Sequence, residues 1–75
     1  MERLHTPAAL GAAVRARRQE LGLSQDDLAV AIGVSRRVIG FLERGKETVQ
    51  LDIAFAAARA LGMDLGYEIR GSSRA

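Results

Sequence analysis

The sequence of 75 residues contains no cysteine, one proline and one histidine. The absence of cysteine excludes disulfides and thiolate metal sites. The single histidine, His5, has no second histidine or cysteine to act with, so zinc sites and histidine-based catalytic triads are unsupported. We therefore expect a protein with no metal, no other cofactor and no enzymatic activity.

The chain also lacks a run of about 18 apolar residues, and its N-terminus lacks a basic segment followed by an apolar core. These absences predict a cytoplasmic protein without a membrane partner. A single domain of this size has a thin stability margin when it carries no disulfide or metal. We therefore expect a partner chain to support it.

Arginine is abundant where other chemically informative residues are scarce. Ten of the eleven basic residues are arginine, and the net charge is +2 with a sequence pI of about 9.9. This mild excess indicates little by itself, but arginine is the side chain suited to bidentate contacts with phosphate and guanine.

Local signals predict four helices within residues 7–62. A capping hydroxyl precedes each of the first three helices, at Thr6, Ser24 and Ser35, and Pro7 and Asp27 strengthen the first two starts. The fourth helix is predicted from about Leu51 to Leu61. A glycine stops each helix in turn, at Gly22, Gly33, Gly45 and Gly62.

The pattern changes to a period of two after the fourth helix, where Leu65, Tyr67 and Ile69 alternate with other residues. We predict a short strand over residues 63–70. A lone strand exposes unpaired backbone groups, so the same strand of a second copy is its simplest partner in a two-fold homodimer. The rest of the chain is predicted as a flexible N-terminus over residues 1–6 and a disordered tail over residues 71–75.

Residues 25–44 have the order helix, glycine, short turn and helix, which is the helix-turn-helix arrangement. The stretch LGLSQDDLAVAIGVSRRVIGFLERGK resembles the lambda-repressor-like family (Cro/cI, or Xre), and the resemblance extends over residues 8–62. It implies an all-α domain of four to five helices that binds double-stranded DNA. The second helix of the motif would enter the major groove.

The resemblance also implies roles for individual residues. Arg36, Arg37 and Phe41 fall on positions that read bases, and Gln25, Ser35, Arg44 and Lys46 on positions that bind phosphates. Two arginines in the first turn of a helix oppose its macrodipole, and DNA would favour them there; a solvated polar face is the alternative. For Phe41, contact with a thymine methyl group and a partly buried ring remain equal alternatives.

Two further positions need explanation. Gly40 departs from the family, which usually has a side chain there, and it weakens the helix by about 1 kcal/mol relative to alanine. Either the DNA approaches closely or one specificity contact is missing. Arg18 lies on the apolar face of the first helix and needs a partner. The resemblance implies a structural ion pair with Glu43.

The stretch GFLERGKET nearly matches the phosphate-binding loop G-x-x-x-x-G-K-[ST]. Glu47 stands where that loop needs a hydroxyl, no strand precedes the stretch, and the chain has no room for the surrounding sheet. We interpret the match as coincidence.

The helix-turn-helix followed by a short strand, with LGAAVRARRQELGLSQ at its start, looks like the HipB-type antitoxins of toxin-antitoxin operons. That resemblance implies a dimeric repressor of a palindromic operator that regulates its own operon and neutralises a HipA-type kinase toxin. The alternatives are a stand-alone Xre-family regulator and a module that acts mainly by protein–protein interaction.

Overall fold

The computed structural model describes residues 3–71, which form four helices. They are α1 (Pro7–Glu20), α2 (Gln25–Ile32), α3 (Arg36–Glu43) and α4 (Leu51–Ala60). The all-α class is confirmed, and the predicted bounds agree to within about a residue. None of the helices in this part of the chain is long and apolar enough to cross a membrane. The predicted flexible and disordered ends include residues 1–2 and 72–75, which lie outside the described residues.

The helix starts follow the capping signals in the sequence. The Thr6 hydroxyl accepts a hydrogen bond from the Ala9 amide at 3.0 Å, and the Ser35 hydroxyl accepts one from the Val38 amide at 3.3 Å. Ser24 and Asp27 form the predicted capping box, in which each side chain accepts from the other residue's amide, at 2.9 and 2.7 Å. These bonds satisfy amides that a helix leaves without an internal partner.

The turn between α2 and α3 depends on Gly33. Its φ of 75° and ψ of 33° lie in the left-handed region that favours glycine. The Val34 amide then donates to the Ala29 carbonyl at 3.0 Å, which closes the end of α2. This turn sets the angle at which α3 leaves α2.

The core lies where α3 packs on α1 and α2, and where α2 packs on α4. Its largest fully buried side chains are Val14, Leu28, Ile39 and Leu61. The contribution of α4 is mostly small, through Ala54, Ala57 and Ala58. Small side chains let helices approach closely, so this short chain closes a core without large aromatic residues inside it.

The C-terminal segment does not form a strand within one chain. Residues 3–71 contain no strand, so the predicted strand over residues 63–70 is not confirmed. The physical reason is that a strand needs a second strand for its backbone hydrogen bonds, and the described part of the chain offers none. Leu65, Tyr67 and Ile69 are exposed by 38%, 86% and 67%, and Glu68 pairs with Arg3 at 3.2 Å on the surface.

Candidate nucleic-acid interface

The first turn of α3 is an exposed basic surface. Ser35 caps the helix, and Arg36 and Arg37 follow at its first two positions with exposed side chains. The turn contains no acidic residue. Because the N-terminus of a helix carries partial positive charge, the two guanidinium groups and the helix end together attract anions.

A buried ion pair ties the other end of α3 to α1. The Arg18 Nε and Nη2 atoms donate to the two carboxylate oxygens of Glu43 at 2.6 and 3.0 Å. The third donor of Arg18, Nη1, reaches the Leu23 carbonyl at 2.7 Å. The two side chains are only 10% and 2% exposed. The bidentate geometry fixes where α3 lies across α1.

Both partners of this pair stay charged. The hydrogen bond to Glu43 raises the pKa of Arg18, although burial opposes it. Burial by itself would raise the pKa of Glu43, but the hydrogen bonds from Arg18 and Gln25 outweigh it and leave that pKa below its usual value. The carboxylate is therefore ionised at neutral pH.

Gln25, which was predicted to contact a phosphate, makes a hydrogen bond inside the protein. It is the first residue of α2, and its Nε2 atom donates to Glu43 Oε1 at 3.1 Å. One amide hydrogen is therefore used inside the protein. A phosphate contact would fall to the remaining amide hydrogen, so the role of Gln25 towards DNA stays a prediction.

Phe41, Arg44 and Lys46 lie together at the end of α3. Phe41 is half-buried, and Arg44 and Lys46 are exposed. The Lys46 Nζ atom is 4.0 Å from the centroid of the Phe41 ring. The guanidinium carbons of Arg37 and Arg44 are 5.2 and 5.4 Å from the same centroid. The structure thus brings predicted base-reading and phosphate-binding residues into one group.

Two residues that position this surface were missed by sequence reasoning. A Cβ atom at Gly11 of α1 would overlap the Leu42 carbonyl oxygen and lie 2.8 Å from that of Glu43. The signal was a glycine inside a helix, where it is costly. Arg17 donates through Nε to the Leu61 carbonyl at 2.9 Å, which joins α1 to the end of α4. No local pattern marked that contact.

Two further features of the described residues concern their buried polar atoms and their possible metal ligands. No buried side-chain nitrogen or oxygen within residues 3–71 lacks a hydrogen-bond partner. The same range contains no group of three histidine, cysteine, aspartate or glutamate side chains that could hold a metal ion. The feature suited to binding is the positive charge of the exposed first turn of α3.

The family model described as helix-turn-helix, HTH_3, matches residues 14–67. The chain therefore belongs to the helix-turn-helix family, in the Xre or lambda-repressor-like class of DNA-binding transcriptional regulators. It is 40% identical over 73 residues to the HTH-type transcriptional regulator y4mF of Sinorhizobium fredii, covering 97% of this chain and 96% of that protein. It is also 45% identical over 51 residues to an HTH-type transcriptional regulator of Methanothermobacter thermautotrophicus, covering 68% and 74% of the two chains.

Solved structures share the fold. A chain of the HipB-O4 20mer complex superposes with a TM-score of 0.84 at 23% identity, covering 93% of this chain and 99% of that one. A chain of the HipA-HipB-O2-O3 complex gives a TM-score of 0.85 at the same identity and coverage. At this identity, the likeness shows the fold alone.

Proposed function

We propose that this protein is a sequence-specific DNA-binding repressor that reads its operator with the first turn of α3. The observation that carries the proposal is the exposed first turn of α3, which contains no acidic residue and in which Arg36 and Arg37 follow the cap Ser35. Side chains at this end of the second motif helix are the ones that reach base edges in helix-turn-helix complexes. Arginine suits guanine there, through bidentate hydrogen bonds to O6 and N7.

The proposed contacts with the DNA backbone come from the two ends of α3. Ser35 lies at its start, and Arg44 and Lys46 lie at its end, so the proposed phosphate contacts bracket the base-reading turn. Gln25 adds its remaining amide hydrogen from the start of α2. Such contacts set the register of the protein on the duplex without reading sequence.

The first test separates base reading from phosphate binding. Arg36→Ala or Arg37→Ala should weaken binding to the operator by about 1 to 3 kcal/mol and relax the preference at one base pair. Lys46→Ala should weaken all sequences alike and lower the slope of log K against log salt by about 1. The operator is first selected from random duplexes, and affinities are measured by fluorescence anisotropy.

Arg59→Ala is the matched control, because it removes the same charge from an exposed position on α4. It should leave the base preference unchanged. Equal losses on operator and random DNA for Arg36→Ala and Arg37→Ala would refute their assignment as base readers.

We further propose that the repressor is the antitoxin of a toxin-antitoxin operon, that it acts as a homodimer on a palindromic operator, and that it neutralises a HipA-type kinase toxin. The support is the resemblance to HipB-type antitoxins in the sequence and the fold shared with a chain of the HipA-HipB-O2-O3 complex. In this role the protein has no catalytic activity of its own. It acts in the cytoplasm, because its ligand is an operator.

The alternative is a stand-alone regulator, and the relatives from Sinorhizobium fredii and Methanothermobacter thermautotrophicus are named only as HTH-type transcriptional regulators. The gene beside this one decides between the two. A neighbouring kinase gene whose product is toxic alone, harmless with this protein and co-purified with it would support the antitoxin role. A neighbourhood without such a gene would leave the stand-alone regulator.

A further inference from the structure

Three cationic side chains surround the ring of Phe41. The Lys46 ammonium and the Arg37 and Arg44 guanidinium groups lie 4.0, 5.2 and 5.4 Å from its centroid. All three distances fall within about 6 Å, the range in which a cation is attracted to an aromatic face. A single half-buried ring therefore limits the positions of three otherwise flexible side chains.

None of these three cations forms a salt bridge within the described residues. The salt bridges within residues 3–71 use Arg3, Arg17 and Arg18. Because Arg37, Arg44 and Lys46 are gathered around one ring, their separations are comparable with the Debye length of about 8 to 10 Å, and they repel one another. An anion placed among them would relieve that repulsion.

Gly40 belongs to the same arrangement. A Cβ atom built on it would lie 3.1 Å from Nη1 of Arg44, and the next atoms it would meet, at 3.8 Å, belong to the same guanidinium. The Arg44 head group therefore lies over the backbone of Gly40, where a side chain would otherwise be. This contact gives a reason for a glycine at a helical position that usually carries a side chain.

We propose that Phe41 is a positioning residue that orders Arg44 and Lys46 for phosphodiester groups of DNA, with Arg37 held beside them at the groove, and that Gly40 makes room for Arg44 in this group. The proposal deepens the proposed function and rests on it. The ring acts before DNA arrives, because side chains that are already ordered lose less conformational freedom on binding. It needs no contact with a thymine methyl group.

The central experiment compares wild type, Phe41→Leu and Phe41→Trp on a labelled duplex of about 20 base pairs of random sequence. Phe41→Leu removes the aromatic face but keeps every charge. It should weaken binding about 3- to 10-fold, while the salt dependence keeps its slope because the same cations still displace counterions. Phe41→Trp restores an aromatic face and should bind within about twofold of wild type.

A second variant protects the test against misfolding of Phe41→Leu. Gly40→Ala adds helix propensity and meets only the mobile end of Arg44. Its melting temperature should equal or exceed that of wild type, yet its binding to the random duplex should be weaker because the Arg44 guanidinium must shift from its position over Gly40 beside the ring. A stabilised variant that binds less well cannot be explained by loss of fold.

The cluster is also measured without DNA. The ε-methylene protons of Lys46 should show an upfield ring-current shift in the NMR spectrum of wild type and Phe41→Trp, and the shift should vanish in Phe41→Leu. A wild-type spectrum without the shift would overturn the proposal, whatever the DNA measurements show.

The outcomes distinguish a failure of the positioning role of Phe41 from a failure of the proposed DNA-binding function. If wild type binds no duplex, the proposed function fails. If wild type binds and both Phe41→Leu and Gly40→Ala bind the random duplex equally well, the positioning role is refuted and the repressor stands. If the Phe41→Leu effect is confined to the operator and disappears when its thymines are replaced by deoxyuridine, Phe41 reads a methyl group instead.

Discussion

Gly11 and Gly40 are both glycines inside helices, yet they have different neighbours. At Gly11 the added carbon would strike the backbone carbonyls of Leu42 and Glu43, and at Gly40 it would meet the end of the Arg44 side chain. A flexible side chain can move away, whereas the backbone of α3 cannot shift without opening the core. Of these two glycines, only Gly11 is therefore required for the fold.

We predict opposite effects of the same substitution at these two positions. Gly11→Ala should lower the free energy of unfolding by about 2 kcal/mol or more, because overpacking outweighs the gain in helix propensity. Gly40→Ala should leave it unchanged or raise it by up to about 1 kcal/mol. Urea titration followed by circular dichroism measures both. A Gly11→Ala protein as stable as wild type would show that α1 does not lie against α3 in this way.

The Arg18–Glu43 pair joins α1 to α3 beside this close contact, with Leu23 and Gln25 completing its hydrogen bonds. Removing Arg18 or Glu43 alone leaves a stranded buried charge and should cost about 3 to 5 kcal/mol. Replacing both by apolar residues, as in Arg18→Met with Glu43→Leu, should cost much less. The double-mutant cycle reports their coupling, and additive losses would show that they act independently.

The same pair predicts how stability depends on pH. The pKa of Glu43 in the folded protein lies below its ordinary value of 4.5. The folded state therefore favours the ionised carboxylate, which contributes stability above about pH 4.5 and loses it as the pH falls through the folded pKa. The free energy of unfolding should be nearly constant towards neutral pH and should fall in acid.

The acid response also has a second source, in α2. Hydrogen bonds from the amide and hydroxyl of Ser24 lower the pKa of the exposed Asp27 as well. Glu43→Gln should flatten part of the decline in the free energy of unfolding below pH 4.5, and Asp27→Asn should flatten another part of it. If Glu43→Gln retained the full wild-type slope, the carboxylate of Glu43 would not be its cause.

A dimer requires an apolar surface that one copy leaves uncovered. Leu65, Tyr67 and Ile69 are exposed, and so are Leu51 and Phe55 of α4, by 66% and 43%. Leu51, Phe55, Leu65 and Tyr67 also line a groove of about 580 Å³ between the N-terminal segment, α4 and residues 64–68. Strand pairing of residues 63–70 with a second copy would cover part of this surface and satisfy the backbone groups of the segment.

We predict that the full chain sediments as a dimer at tens of micromolar and that a chain ending at Gly62 sediments as a monomer. Ile69→Ser should weaken the dimer, whereas Val30→Ser, a matched change at an 82% exposed position on α2, should not. A truncated chain that dimerises as tightly as the full one would place the interface elsewhere. In a two-fold dimer the two α3 helices would meet half-sites about one helical turn, or a multiple of it, apart.

The helix bounds follow from the sequence, because the ends of the helices depend on residues only a few positions apart. Thr6, Ser24 and Ser35 each cap an amide three residues away, and Gly33 needs only its own φ to end α2. The family motif also depends on local spacing, so the class of protein and the exposed arginines of α3 could be read without coordinates. The C-terminal strand could not be confirmed, because its hydrogen bonds depend on a second strand that residues 3–71 do not contain.

The geometry of contacts between distant side chains depends on the packing of the helices. Arg18 and Glu43 are 25 positions apart, and their bidentate contact depends on how α1 crosses α3. The hydrogen bond from Gln25 to Glu43 depends on the same crossing. The same crossing makes Gly11 indispensable. After the end of α3, the chain turns so that the Lys46 ammonium lies close to the ring of Phe41. Contacts of this kind depend on distances between elements, which helix propensity and local hydrogen bonds leave undetermined until the core packs.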